Sequence, residues 1–309
     1  MNLVIINFHY FREVQYESGI YPVNFSQFSN QISLLSEKYK FVSQNDICNW
    51  IETGDYPEGN YCLITFDDGL KEQMEAFKYL KSLGIPAIFY IPTDPIQNAL
   101  VLNVHKLHYV RSKMNDDELF SLLNEGYNIA NYNFNEEKLE NQYRYDNLIA
   151  RKVKFFLNFI LTESESDEAI CSFFKLLVSN ENAFAKELYM NEEDLIALSN
   201  YDALGSHGAA HLPLGTKSWD LAKSDVKKSI SFLEDLTGKS VNSFSYPYGG
   251  TQAVNKSLAT AFDDTHVKFA LTMWRGVNGI KNFQDPFFLL RFDTNDIPGG
   301  RNNHNKCPF

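Results

Sequence analysis

Residues 62–91 read CLITFDDGLKEQMEAFKYLKSLGIPAIFYI. The stretch 62–66 is a continuous apolar run, the pattern of a strand buried on both faces. Residues 70–83 follow as a predicted helix, stopped by Gly84 and Pro86. Residues 87–91 form a second apolar run. The same alternation continues on either side. Residues 3–8 read as a strand, and 25–38 as a helix with apolar residues at Phe25, Phe28, Ile32, Leu34 and Leu35. Further strands are expected at 203–206, 243–246, 269–273 and 287–292. Helices are expected from about Ser218 to Leu236, ended by Gly238, and from about Gln252 to Phe262. Strands alternating with helices imply an α/β fold with a mostly parallel sheet. Seven or so strands suggest barrel-like closure more than a six-stranded dinucleotide fold.

Between about Asn103 and Asn191 the strand signals fade. Residues 119–123, 153–161 and 170–177 have helical apolar spacing with polar breaks between them. Residues 101–200 hold 17 Asp+Glu and 10 Lys+Arg, so most of the chain's net charge of -11 sits there. The reading is a discontinuous core of residues 1–102 and 192–300, a helical insertion at 103–191, and a tail at 301–309. Ordinary crossover helices would be the plainer account of the middle segment, but the excursion between two strands is long for that.

A chain of 309 residues with 44% hydrophobic and 22% charged residues is globular in composition and long enough to bury a core. The acidic balance gives no general attraction for nucleic acid or an anionic membrane. No stretch of 18 apolar residues occurs, so no membrane span is expected. The apolar start MNLVIINFHY lacks a basic n-region and a cleavage site, which leads to the expectation of a cytoplasmic protein. Cys48, Cys62, Cys171 and Cys307 lie far apart and read as free thiols.

Three clusters could carry chemistry, each just after an expected strand, where parallel α/β folds place their sites. In Thr65-Phe66-Asp67-Asp68-Gly69, two adjacent acids after a buried strand are costly unless a cation meets them. One carboxylate can ligate a metal while the other stays free as a base; alternatively the pair caps the following helix. In Ser206-His207-Gly208-Ala209-Ala210-His211, histidines at i and i+4 would meet on one face of a helical turn, a spacing suited to one metal ion. Two unrelated surface histidines give the same pattern. In Phe244-Ser245-Tyr246-Pro247-Tyr248-Gly249-Gly250, a strand ends in a Pro/Gly turn whose backbone N–H groups can face a developing oxyanion, or that simply connects strand to helix.

Together these residues resemble the polysaccharide deacetylases, the NodB-homology family of carbohydrate esterases. TFDDG looks like the family's first motif, HGAAH its His-x-x-x-His motif, and FSYPYG a variant of its third. The resemblance covers roughly residues 1–100 and 200–298. It implies a distorted (β/α) barrel, with Asp67 as catalytic base and Asp68, His207 and His211 as metal ligands. Two departures stand out. The family's third motif has an Arg two places before Pro that orients the base, and here that place is Ser245; Arg291, from a later strand, is the candidate replacement. The late Leu-x-His motif that gives the general acid is absent, and His304 falls in the expected tail. Asn7-Phe8-His9-Tyr10 resembles a segment that ends the first strand in a branch of the family with rearranged motif order, so His9 is the candidate acid.

The resemblance implies metal-dependent N-deacetylation of an N-acetylated saccharide for a surface polysaccharide. Zn2+ is the expected ion, with Co2+, Ni2+ or Fe2+ also suited to such donors. A backbone N–H near Tyr248, in the turn after Pro247, would face the oxyanion. Among 45 aromatic residues, Trp274 and Tyr248 are the candidate sugar contacts. Two alternatives stay open: a non-catalytic carbohydrate-binding relative, given Ser245 and the missing late His, and a 2-His-1-carboxylate iron enzyme, which leaves Asp67 without a task.

Overall fold

The computed structural model describes residues 1–16, 18–143 and 146–300; the expected tail, with His304 and Cys307, lies outside them. The chain divides into two compact units. One contains residues 1–14, 22–100 and 185 onward, and the other residues 15–21 and 101–184.

The first unit holds one parallel sheet. Its strands are β1 (Asn2–Phe8), β2 (Lys40–Phe41), β3 (Asn60–Phe66), β4 (Ala87–Ile91), β5 (Leu204–Ser206), β6 (Ser243–Ser245), β7 (Phe269–Leu271) and β8 (Phe292–Asp293). Their order is β7-β6-β5-β4-β3-β1-β8, with β2 paired to β3 off this path. Leu289 draws the two ends together. Its N–H donates to Ala270 O at 3.0 Å and its carbonyl accepts from Thr272 N at 2.9 Å, and three residues later Phe292 pairs with Ile6 of β1. The curled sheet is the expected distorted (β/α) barrel.

Strand alternation divides the core in two. Val4, Ile6, Phe8, Ile64, Phe66 and Phe89 belong to one apolar cluster, where Phe66 and Phe89 stack at 4.5 Å. Leu3, Ile5, Leu63, Ile88, Tyr90 and Leu271 belong to the other. Both faces are buried, which explains the unbroken apolar runs. The second face turns polar towards the C-terminal ends of the strands: Leu3 and Ile5 are followed at the same spacing by Asn7, and Leu63 by Thr65 and Asp67. The site grows out of that change.

Several elements differ from the sequence reading, each for a local reason. The helix expected at 70–83 is Gln73–Ser82, because residues 69–71 pair instead with 188–190: Lys71 N donates to Leu188 O at 2.9 Å and Met190 N to Gly69 O at 2.9 Å. The helix expected at 252–262 is a 3-10 segment, Lys256–Phe262, begun by Asn255 capping Ser257. The strand expected at 287–292 starts as a 3-10 turn, Pro286–Phe288. There the Asn278 side chain takes the place of a strand partner, bonding both N and O of Leu290. β2 and the helix Gln44–Thr53 went unread, since two residues carry no period. The helix foreseen from about Ser218 is Trp219–Thr237, with Ser218 as N-cap and left-handed Gly238 as C-cap.

The second unit is helical among its described residues. The helices Asn103–Arg111 and Glu163–Leu177 pack together, with Asp116–Tyr127, Glu136–Gln142 and Leu148–Phe155 between them in sequence. Among its buried apolar residues it also encloses an ionic cluster. Fully buried Arg111 binds Asp116 through Nε at 2.6 Å and Asp146 through Nη2 at 3.2 Å, and Lys154 reaches Asp146 at 2.9 Å. Residues 15–21 join this unit through Ser18, whose hydroxyl donates to Arg111 O at 2.6 Å. Cys48, Cys62 and Cys171 are free thiols. Among the described residues, no helix is long and apolar enough to cross a membrane.

Candidate active site

All three motifs open on the C-terminal side of the sheet, and each loop bends the same way. Asp68 (φ 80), His211 (φ 56) and Tyr248 (φ 61) are left-handed, and each motif also holds a left-handed glycine: Gly69, Gly208 and Gly249. Left-handed non-glycine residues cost about 1–3 kcal/mol each and persist where surrounding contacts over-determine them. Only six occur among the described residues, so three in these loops mark a site. At Gly249 a side chain is also excluded by space, since a Cβ would lie 2.7 Å from Met273 N.

The turn at Asp68 separates the roles of the two acids. Asp67, at the end of the polar strand face, points to Arg291. The guanidinium donates through Nη1 to Oδ1 at 3.0 Å and through Nη2 to Oδ2 at 2.8 Å. Asn7 Nδ2 and the Ser245 hydroxyl also donate to Oδ2, at 3.0 and 3.1 Å. Arg291 is itself completely buried and anchored by its Nε–H to Thr272 O at 2.9 Å. Ser245, where the resemblance leads to an arginine, accepts from Arg291 Nη2 at 2.8 Å and passes a hydrogen bond on to Asp67. Burial pushes the Asp67 carboxyl up, but the Arg291 charge, with smaller contributions from His207 and His9, holds it below the usual carboxylate range.

Asp68 points the other way. Its Oδ1 lies 3.5 Å from His207 Nε2 and 3.3 Å from His211 Nε2. One donor atom from each of Asp68, His207 and His211 falls within 4.8 Å of the others, and all three residues are buried. The two histidines do not meet on a helical turn as the spacing had suggested. Residues 207–211 form an irregular loop that reverses at Gly208 and His211. His207 Nδ1–H donates to Ser245 O at 2.6 Å, which fixes the tautomer and leaves the Nε2 lone pair facing Asp68. Burial pushes the His207 imidazole down, and the Asp67 and Asp68 carboxylates more than offset it. The negative field that favours a proton on Nε2 equally favours a divalent cation. Two imidazoles and a carboxylate, with one imidazole oriented by a backbone carbonyl, fit a catalytic divalent ion.

His9 stands beside Asp67. Its Nε2 is 3.4 Å from Asn7 Nδ2, the same amide that donates to Asp67. Gln73, fully buried, donates to both His9 O at 2.8 Å and Asp67 O at 2.6 Å. The Tyr248 ring lies 5.0 Å from that of His211, and Pro247 is buried alongside Gly208. Trp274 stacks on Phe288 at 5.9 Å, and its carbonyl accepts from Arg291 N at 2.9 Å. Sequence reasoning missed Asn7, Gln73 and Thr272. Asn7 carried a signal, a polar residue inside the apolar run 3–8. The capping role considered for the two acids does not occur: the helix beginning at Gln73 has no side-chain cap.

The sequence model of the polysaccharide deacetylase family matches residues 180–269, which include both histidines and the FSYPYG turn. No curated protein matches in sequence. Among solved structures, a Streptococcus pyogenes deacetylase, PplD, in complex with acetate aligns with TM-score 0.60 at 13% identity, over 95% of this chain and 92% of that one. A de-N-acetylase from Aggregatibacter actinomycetemcomitans aligns with TM-score 0.57 at 13% identity, over 95% and 96%. IcaB from Ammonifex degensii aligns with TM-score 0.55 at 14% identity, over 94% and 90%. These likenesses establish the barrel. The family match adds a likeness in sequence over residues 180–269, the part of the chain that carries both histidines and the FSYPYG turn.

Proposed function

We propose that the protein removes acetyl groups from an N-acetylated saccharide of a surface polysaccharide, in a metal-dependent hydrolysis. The observation that carries this reading is the division of labour between adjacent carboxylates: Asp67 is locked to Arg291, while Asp68 faces two histidines. Asp68, His207 and His211 would hold a divalent ion, Zn2+ by default, with Co2+, Ni2+ or Fe2+ also accepted by such donors. Bound there, the ion supplies Lewis-acid chemistry, activating water and polarising the acetamide carbonyl.

The remaining steps fall to the chain. Asp67 takes the proton of the attacking water. Its Oδ2 accepts three hydrogen bonds and Oδ1 one among the described residues, so capacity for the proton is left on Oδ1. Arg291 keeps Asp67 ionised near neutral pH. A backbone N–H near Tyr248 faces the oxyanion. His9, 3.4 Å from the amide shared with the base, protonates the leaving amine. Acetate and a free amino sugar result. Tyr248 and Trp274 are the proposed sugar contacts.

A non-catalytic binding role is suggested by Ser245 in place of arginine and by the missing late His; Arg291 answers the first by supplying the charge, and His9 is the proposed answer to the second. An iron-oxygenase reading uses the same three ligands and leaves the Asp67–Arg291 pair without work. The test is acetate release from a panel of N-acetylated sugar donors and oligosaccharides, with and without chelator. Chelator-sensitive release is expected; no release from any member, with metal confirmed bound, overturns the reading.

A further inference from the structure

The loop that carries both histidines is irregular and turns through two left-handed residues, so something outside it must fix its shape. Its carbonyls are taken on one side. Thr93 N donates to Gly208 O at 3.2 Å and Asp94 N to Ala209 O at 3.0 Å. On the other side, two consecutive amides in the middle of the loop are taken by a single group, Asp225, a buried acid on the inner face of the helix Trp219–Thr237. Ala209 N–H donates to Asp225 Oδ2 at 2.9 Å and Ala210 N–H to Oδ1 at 2.8 Å. Both carboxylate oxygens are therefore spent on consecutive amides midway between the two metal-binding histidines. The fit is tight: a Cβ on Gly208 would lie 2.5 Å from Asp225 Oδ2. Lys228, one turn along the same helix, closes the far side by binding Asp94 at 2.5 Å.

We propose that Asp225 is a positioning residue for the metal centre, holding the 207–211 loop in the one backbone shape that brings His207 Nε2 and His211 Nε2 to Asp68. The inference rests on the reading of Asp68, His207 and His211 as ligands. A carboxylate is the suited group, because two adjacent amides need two acceptors a fixed distance apart. An asparagine offers one acceptor and sets its own NH2 against the second amide. Such residues behind a ligand typically set metal affinity by 10- to 100-fold when changed.

The experiment is Co2+ titration of metal-free wild-type protein, Asp225→Asn, Gly208→Ala and Ile230→Ala, read by calorimetry and by the visible d–d spectrum. Ile230 is buried on the same helix and bonds nothing in the loop, so Ile230→Ala controls for loss of stability. Asp225→Asn is expected to bind Co2+ about 10- to 100-fold more weakly, with an altered spectrum, while Ile230→Ala loses melting temperature and keeps wild-type affinity and spectrum. Gly208→Ala, which pushes on the same carboxylate, is expected to follow Asp225→Asn and serves in its place if that variant does not fold. Wild-type affinity and spectrum in both Asp225→Asn and Gly208→Ala would overturn the proposal while leaving the metal reading intact. Equal weakening in Ile230→Ala would also overturn it, by reducing the effect to stability. No Co2+ uptake by the wild type would overturn the metal reading and the proposal together.

Discussion

Arg291 reaches Asp67 across 224 residues of sequence and binds both of its carboxylate oxygens, at 3.0 and 2.8 Å. Neither group has water to fall back on: Arg291 is completely buried and Asp67 is 2% exposed. Removing the guanidinium therefore strands a buried charge, at a cost of about 3–5 kcal/mol. Arg291→Met should lower unfolding free energy by that amount in urea titration. The pH profile should move too. Arg291 lowers the Asp67 pKa, so its loss raises it, and the acidic limb of kcat/KM should shift to higher pH. Arg291→Lys should recover only part, since an ammonium cannot bind both oxygens in one plane.

Asp67→Asn tests the base separately from the ligands. The amide keeps the shape and removes the proton acceptor. Turnover should fall by about 10²- to 10⁴-fold, and metal content by elemental analysis should stay at the wild-type level. A variant that loses metal in parallel with activity would place Asp67 among the ligands.

His9→Gln should lower kcat by roughly 10²-fold or more with little change in KM, if the imidazole protonates the leaving amine. An acetylated substrate with a better leaving group, such as an aryl ester, should be hydrolysed by the variant at close to the wild-type rate. Equal losses on both substrates would remove His9 from the acid role.

Dialysis against a chelator should abolish acetate release, and readdition of Zn2+ or Co2+ should restore it. Asp68→Ala should lose that recovery, because the carboxylate joins both histidines.

The helical unit carries its own pH dependence. Burial pushes Asp146 up, but the Lys154 and Arg111 charges hold it below the usual carboxylate range. A carboxyl depressed on folding contributes stability that is present above its unfolded pKa and lost as pH falls through the folded one. Thermal unfolding should thus show a step of destabilisation below about pH 4 that is smaller in Asp146→Asn. Asp146→Ala, which leaves Arg111 and Lys154 short of a partner, should cost about 3 kcal/mol or more at neutral pH.

Much of this was legible in the residues. The runs 62–66 and 87–91 became β3 and β4 because burial on both faces leaves no polar position to interrupt them. Asp67 and Asp68 stood out as costly acids at a strand end and His207 and His211 by their spacing, and the four lie close together. The shape of the His loop was not legible. Spacing alone favours a helical turn, whereas Asp225, a helix away, dictates the observed backbone. Asp225 and Gln73 were hidden for the same reason: on a helix, one polar residue within the apolar stripe looks like an imperfection in the pattern. The last apolar run, 287–292, misled as a strand, because it begins as a 3-10 turn and the Asn278 side chain, distant in its own loop, takes both backbone groups of Leu290.

The distance in sequence between Asp67 and Arg291 bears on how the protein comes into being. On a ribosome, β3 emerges more than two hundred residues before its counter-charge. Until the C-terminal segment has been made and laid against β1, the nascent barrel must leave Asp67 hydrated or protonated, and its inner face cannot dry. Closure of the sheet and the pairing of Asp67 with Arg291 are then a single late event. A chain stopped short of Arg291 is an open sheet with a wet acid at its centre.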